Sequence, residues 1–249
     1  MAKPAKSDRQ AVIDQIRKKQ KNADKKRGFA IVGVCILIAV LIIGAAAYKP
    51  IKDWWDGRAL DKVALSDIGA PASVCQKIET KKADGNQNHV PYPTPVDYPD
   101  APPAFGPHWN EQGVAPAPFA RKFYSDDRPE LEALVHNLEH GYTILWYDDT
   151  VSDDEVQEIR GMAEKFSGSE DNLRDKFIAV PWTSEDEGGA KFPDGQHIAF
   201  THWSVGGQGE TDTTKQVGVF QYCSEVSGEA LSTFMEKYPY FDSPEPSAM

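Results

Sequence analysis

The stretch GFAIVGVCILIAVLIIGAAAY, residues 28–48, contains no charged side chain, and its reading decides how the whole chain is organised. At about 1.5 Å of helical rise per residue it reaches about 31 Å, the hydrocarbon thickness of a bilayer. It stands out because the rest of this 249-residue chain is polar: mean hydropathy is -0.52 and the net charge is -11. Residues 1–27 hold ten Lys or Arg against three Asp, a net of +7. Basic residues beside a span stay in the cytoplasm, so the N-terminus is expected inside the cell and the remainder outside, in the cell membrane as a single-pass protein. A cleavable signal peptide is the competing reading, since Ala45-Ala46-Ala47 resembles a cleavage site, but the run exceeds a signal core of about 7–15 residues. Cys35 follows Val34, where lipidation would need a small residue, and reads as a cysteine within the helix. Trp54 and Trp55 stand where an interfacial aromatic belt belongs.

Beyond the span, 17 basic residues face 35 acidic ones, a net of about -18. So acidic a surface repels nucleic acid and anionic lipid. With 40% hydrophobic residues the exported part can bury a core. Cys75 and Cys223 both lie on the oxidising side and are expected to pair, against the alternative of two buried thiols. Such a bond closes a loop of 148 residues, which contributes about 4–5 kcal/mol in the chain-entropy model.

The expected organisation is a basic cytoplasmic tail (1–27), a transmembrane helix (28–48), a juxtamembrane segment (49–67), a Cys-containing start with a Pro-rich strap (68–107), a globular core (108–240) and a C-terminal tail (241–249). The strap carries Pro91, Pro93, Pro95, Pro99, Pro102, Pro103 and Pro107 interleaved with Tyr92, Tyr98 and Phe105, which denies both helix and central strand. It reads as an extended segment packed on its own domain by its aromatics, with a ligand for a proline-binding module as the alternative. A short strand is expected over 119–124, then a helix with Leu131, Leu134, Val135 and Leu138 at helical spacing, Asp127 as cap, Pro129 in its first turn and Gly141 as its stop. Residues 142–147, 177–182, 197–203 and 216–222 read as strands. Ser152-Asp153-Asp154-Glu155 is a capping box opening a second helix, and Leu231, Phe234, Met235 and Tyr238 mark a third. The fold class is therefore α+β (or α/β), a mixed sheet with helices packed on it, and a thioredoxin-like order is possible. No Cys-x-x-Cys occurs, so dithiol chemistry is excluded.

All six histidines fall in the exported part: His89, His108, His136, His140, His197 and His202. His136 and His140 are four residues apart, the spacing that puts two imidazoles on one helical face within reach of one divalent ion. His108 beside Trp109 and His202 beside Trp203 are further candidate ligands, with Glu139 an outer-shell group that orients a ligand. His197 and His202 point to opposite faces of one strand and cannot both serve one site. Histidines near a helix C-terminus also serve the helix dipole, which is the purely structural alternative. Read as a catalytic motif, His136-x-x-Glu139-His140 matches the inverted zinc-protease pattern, which needs a distant acidic ligand and a substrate chamber that so small a domain gives no sign of supplying. No phosphate loop or nucleophile elbow is present.

The segments Pro102-Pro103, Gly106-Pro107-His108-Trp109, His136-Asn137-Leu138-Glu139-His140-Gly141 and Phe200-Thr201-His202-Trp203, with the Cys75/Cys223 pair, resemble a bacterial family of membrane-tethered extracytoplasmic proteins, the domain of unknown function 3105. The tail-and-anchor layout is similar to its actinobacterial members. The resemblance covers residues 68–240 and implies architecture, not a reaction. The sequence thus points to a membrane-anchored extracytoplasmic accessory protein, not an enzyme, that binds Zn or Cu through histidines. The alternatives are a non-catalytic accessory subunit of a membrane complex, respiratory assemblies included, and a zinc-dependent hydrolase. Its expected partners are the bilayer through 28–48 and a membrane protein, not nucleic acid. Four methionines are too few and dispersed for a thioether cuprous site, which favours imidazole ligation of Zn²⁺ or Cu²⁺. Binding is expected to weaken below about pH 6 as ordinary imidazoles protonate.

Overall fold

The structure, a computed structural model, describes residues 6–83, 87–169, 171–183, 185–186 and 191–248; the side chains of residues 6–9, 49–50 and 53–58 lie outside that description, and with them the expected interfacial pair Trp54 and Trp55. The chain divides into two compact units, Met1–Trp55 and Asp56–Met249.

Helix α1 (Lys6–Leu60) makes up the first unit as far as it is described. Its segment Gln10–Tyr48 is long and apolar enough to cross a membrane. Phe29, Ile31, Leu41 and Ile43 are exposed along it, so this apolar surface finds no cover within its own unit.

The second unit is built on a five-stranded mixed sheet. Its strands are β1 (Glu79–Lys82), β4 (Thr143–Tyr147), β5 (Phe177–Pro181), β6 (Ile198–Ser204) and β7 (Val217–Cys223), in the order β1-β7-β6-β4-β5. Strands β4 and β5 are parallel; the other neighbours are antiparallel. Separate from it, β2 (His89–Val90) and β3 (His108–Trp109) form a two-stranded parallel ribbon. Three further helices, α2 (Leu131–Glu139), α3 (Asp153–Glu164) and α4 (Gly228–Lys237), cover the sheet. This is the mixed α+β class expected, and β7-β6-β4-β5 follows the thioredoxin-like order with β1 added at one edge. Glu79, Thr80, Lys81 and Lys82 are all exposed on β1, and their charges guard that edge against further pairing.

Alternation of side chains along the strands divides the core in two. Ile144, Trp146, Ile178, Val180, Trp203 and Phe220 face α2 (Leu134, Val135, Leu138) and the Pro-rich strap (Ala101, Ala104). Leu145, Phe177, Phe200 and Val219 face α3 (Ile159, Met162) and α4 (Leu231, Phe234). The strap packs on its own unit, as expected: Tyr98 donates to Pro107 O, Trp109 Nε1 donates to Thr94 O, and Phe105 packs edge-on against Trp203. The Sγ atoms of Cys75 and Cys223 stand at disulfide distance, 2.01 Å, while Cys35 is exposed and free.

Three local expectations need correction. Residues 119–124 form no strand; a single bridge joins Phe123 to Ala179, because the first half of the segment is a turn closed by Arg121 N–H donating to Pro118 O. Helix α2 starts at Leu131 with Glu130 before it and no side-chain cap, so Pro129 lies outside the helix; Asp127 instead pairs with Arg121. By contrast, the Ser152/Glu155 capping box on α3 is formed. Residues 241–248 are also no tail. Asp242 is buried and its carboxylate accepts from Ser204 Oγ and from the backbone of Val205 and Gly207. Lys176 Nζ donates to the carbonyls of His140, Pro246 and Ala248, tying the same segment to the end of α2.

Candidate metal centre

Helix α2 is buried along almost its whole length, polar residues included. Its apolar side meets the sheet, its last turn presents His136 and Glu139 to the β2/β3 ribbon, and His140 follows as the C-cap, facing Glu245. Gly141 ends the helix at φ +91, where a Cβ would stand 2.1 Å from Tyr240 O. The ribbon's register sets His89 beside His108 and Val90 beside Trp109. Buried Asn137 pins the next loop by exchanging two hydrogen bonds with the backbone of Ala117, at 2.9 and 3.0 Å.

The donor atoms converge. Glu139 Oε2 lies 2.9 Å from His108 Nε2, 3.5 Å from His89 Nε2 and 4.0 Å from His136 Nε2. His136 Nε2 is 3.0 Å from His140 Nε2, which is 3.6 Å from Glu245 Oε2. Donors held about 2.0–2.1 Å from a tetrahedral ion stand about 3.3–3.4 Å from one another, so these separations bracket the edges of a coordination tetrahedron. Among the described residues two groups of potential ligands result, His89/His108/His136/Glu139 and Glu139/His140/Glu245, each with its ligand atoms within 4.8 Å. The cluster could hold a metal ion.

The hydrogen bonds outside the cluster fix what faces inward. His108 Nδ1 is 2.8 Å from Gly106 O and His136 Nδ1 is 2.6 Å from Trp109 O. A carbonyl only accepts, so each ring keeps its proton on Nδ1 and, when neutral, turns an Nε2 lone pair inward. The His108 lone pair then meets a carboxylate oxygen at 2.9 Å, two acceptors in contact. Such a contact calls for a cation between them, a proton or a metal ion. At the other end His140 Nδ1 is buried and has no hydrogen-bond partner among the described residues. Glu139 is held by a relay of amides: Trp203 Nε1 donates to Gln216 Oε1, Gln216 Nε2 to Gln87 Oε1, and Gln87 Nε2 to Glu139 Oε1.

Electrostatics match ligand forms. Burial, then the neighbouring His108, pushes His136 down to about 4; burial, then His136, does the same to His140. Burial alone would raise the Glu139 carboxyl, but when a proton is the cation in the His108 contact, the hydrogen bond and charge of His108 and the hydrogen bond from Gln87 outweigh burial and bring it down to about 2. Neutral imidazole and ionised carboxylate are the metal-binding forms.

Of the residues singled out in the sequence, His108, His136 and His140 come together. Glu139, expected one step removed, stands among the donors themselves. His202 is not part of the cluster. On β6 it follows Thr201 and precedes Trp203, and since Trp203 faces α2, alternation turns His202 to the opposite face. There its ring nitrogens lie 3.1 Å from Tyr142 O and 2.8 Å from Asp242 O, and burial lowers its pKa. Sequence reasoning missed His89 and Glu245. Both reach the site through long-range contacts, His89 by the ribbon and Glu245 by its backbone N–H donating to Glu139 O at 2.9 Å.

Residues 89–249 match the family model described as "Protein of unknown function (DUF3105)", and the chain belongs to that family. The match begins at His89 and takes in every residue of the cluster. No curated protein and no solved structure matches the chain.

Proposed function

We propose that this protein is a membrane-anchored extracytoplasmic accessory protein whose folded unit binds Zn²⁺ or Cu²⁺ through His108, His136, His140, Glu139 and His89. One observation carries the reading: the inward Nε2 atoms of His108 and His136, whose Nδ1 atoms are committed to carbonyls, converge together with His89 Nε2 on a buried carboxylate at tetrahedral separations. An imidazole-rich, carboxylate-containing set suits these two ions better than Ca²⁺ or Mg²⁺, which take all-oxygen shells. The anchor supports the placement: an apolar helix preceded by a +7 tail holds the unit at the outer face of the cell membrane. The basic tail and acidic exported surface are suited to a membrane-protein partner, and the accessory-subunit role is compatible with metal binding. The test is titration calorimetry of Zn²⁺ and Cu²⁺ into the full-length, tag-free chain in detergent. Wild type is expected to bind one of the ions tighter than about 10 μM, and His136→Ala and His140→Ala to weaken binding. If wild type binds neither that tightly, or both variants bind as wild type, the histidines are structural and the metal reading falls.

A further inference from the structure

We infer that the centre is dinuclear, with Glu139 shared between one ion held by His89, His108 and His136 and a second held by His140 and Glu245. This rests on the metal-binding reading above and specifies its stoichiometry. Two observations carry it. First, the ligand atoms form two overlapping sets and not one: Glu139 belongs to both, while His140 and Glu245 stand apart from His89 and His108. Second, His140 points Nε2 toward both His136 Nε2, at 3.0 Å, and Glu245 Oε2, at 3.6 Å, and its buried Nδ1 has no hydrogen-bond partner among the described residues. A single ion in the first set already has four protein ligands, three imidazoles and one carboxylate, which closes a tetrahedral shell and leaves His140, a fourth imidazole, outside it with its Nε2 3.0 Å from His136 Nε2. An ion between His140, Glu139 and Glu245 gives that remaining imidazole and the two carboxylates a common partner.

The two positions differ in kind. The first is full, with His108, His136 and Glu139 buried and only His89 exposed; the second has three protein ligands and keeps a position open for water or another small ligand. Glu245 is half-exposed, with 49% of its side-chain surface accessible, so the second ion sits at the solvent edge, where repulsion between two dications is best screened. Glu245 is carried there by the C-terminal segment, whose hold depends on its own N–H bond to Glu139 O and on Lys176 bonding Pro246 and Ala248. The second position therefore depends on the last residues of the chain, the first does not.

The experiment loads the full-length, tag-free chain in detergent, first stripped by a chelator, with Cu²⁺ or Zn²⁺ alone, removes free ion and counts bound metal per chain. Wild type is expected to retain two equivalents and Glu245→Gln one. Electron paramagnetic resonance of the copper-loaded wild type should show a coupled pair, and that of Glu245→Gln an isolated cupric signal. Glu245 is half-exposed, so the variant is expected to fold, and circular dichroism checks this. One equivalent in wild type, unchanged in Glu245→Gln, overturns the dinuclear inference and leaves the mononuclear reading standing. Two equivalents without spin coupling and unchanged in the variant place the second ion elsewhere and also overturn it. No bound metal in wild type overturns both.

Discussion

The buried imidazoles should resist protonation far below the pH at which exposed histidines charge. His136 and His140 are pushed from 6.5 down to about 4, chiefly by burial. At pH 5.5 an ordinary imidazole is neutral in about one molecule in eleven, so two such ligands would cost a metal about 120-fold in affinity. With both rings near 4, more than about 95% of each stays neutral at that pH, and these two residues contribute almost no loss. The weakening expected below about pH 6 is thus expected from these two rings only as pH approaches about 4. The sign for stability follows from proton uptake. Between about 4 and 6.5 the unfolded chain binds protons that the folded chain refuses, so the contribution is full above pH 6.5 and lost as pH falls through about 4. A displacement of this size corresponds to roughly 3 kcal/mol per ring. Proton NMR of the metal-free chain in detergent, with ring signals assigned by His136→Ala and His140→Ala, follows each titration from pH 8 to 4.5. Two signals that stay still above about pH 5 are expected; inflections of both near 6.5 would refute the burial argument.

Gly141→Ala should destabilise the folded unit by more than about 2 kcal/mol, seen as a lower Tm, because the position needs φ +91 and its new Cβ would strike the Tyr240 carbonyl. An unchanged Tm would mean that the end of α2 and the C-terminal segment can part freely. Replacing both Cys75 and Cys223 by Ala opens a loop of 148 residues and should cost about 4–5 kcal/mol in denaturant unfolding; a cost below about 1 kcal/mol would show that the core carries the fold without the staple. A reporter active only outside the cell, fused after Met249, should be active, whereas activity only from a cytoplasmic reporter there would reverse the orientation drawn from the +7 tail.

Elements set by local patterns were legible in the sequence. Short, largely apolar runs located β4, β5, β6 and β7 to within a residue or so, and the i, i+4 histidine pair and terminal glycine located the working end of α2. Strand alternation could have excluded His202 as well, since Trp203 is the larger apolar neighbour and takes the α2 face. What escaped depends on chain segments meeting from afar. His89 sits in a two-residue strand whose pairing with His108 spans the Pro-rich strap. Glu245 lies near the end of a polar stretch that looks like a tail until Asp242 and the Lys176 bonds draw it inward. Glu139 was assigned an outer role because only its spacing was visible; the amide relay from Trp203 through Gln216 and Gln87 aims it into the cluster.

The central claim is that the histidine and glutamate cluster exists to hold metal. Elemental analysis of the full-length, tag-free chain isolated from membranes of cells grown without added metal tests it most directly. The account predicts zinc or copper at one equivalent or more per chain, lost together from the His108→Ala and His136→Ala variants; wild type with neither metal above the level of those variants would contradict it.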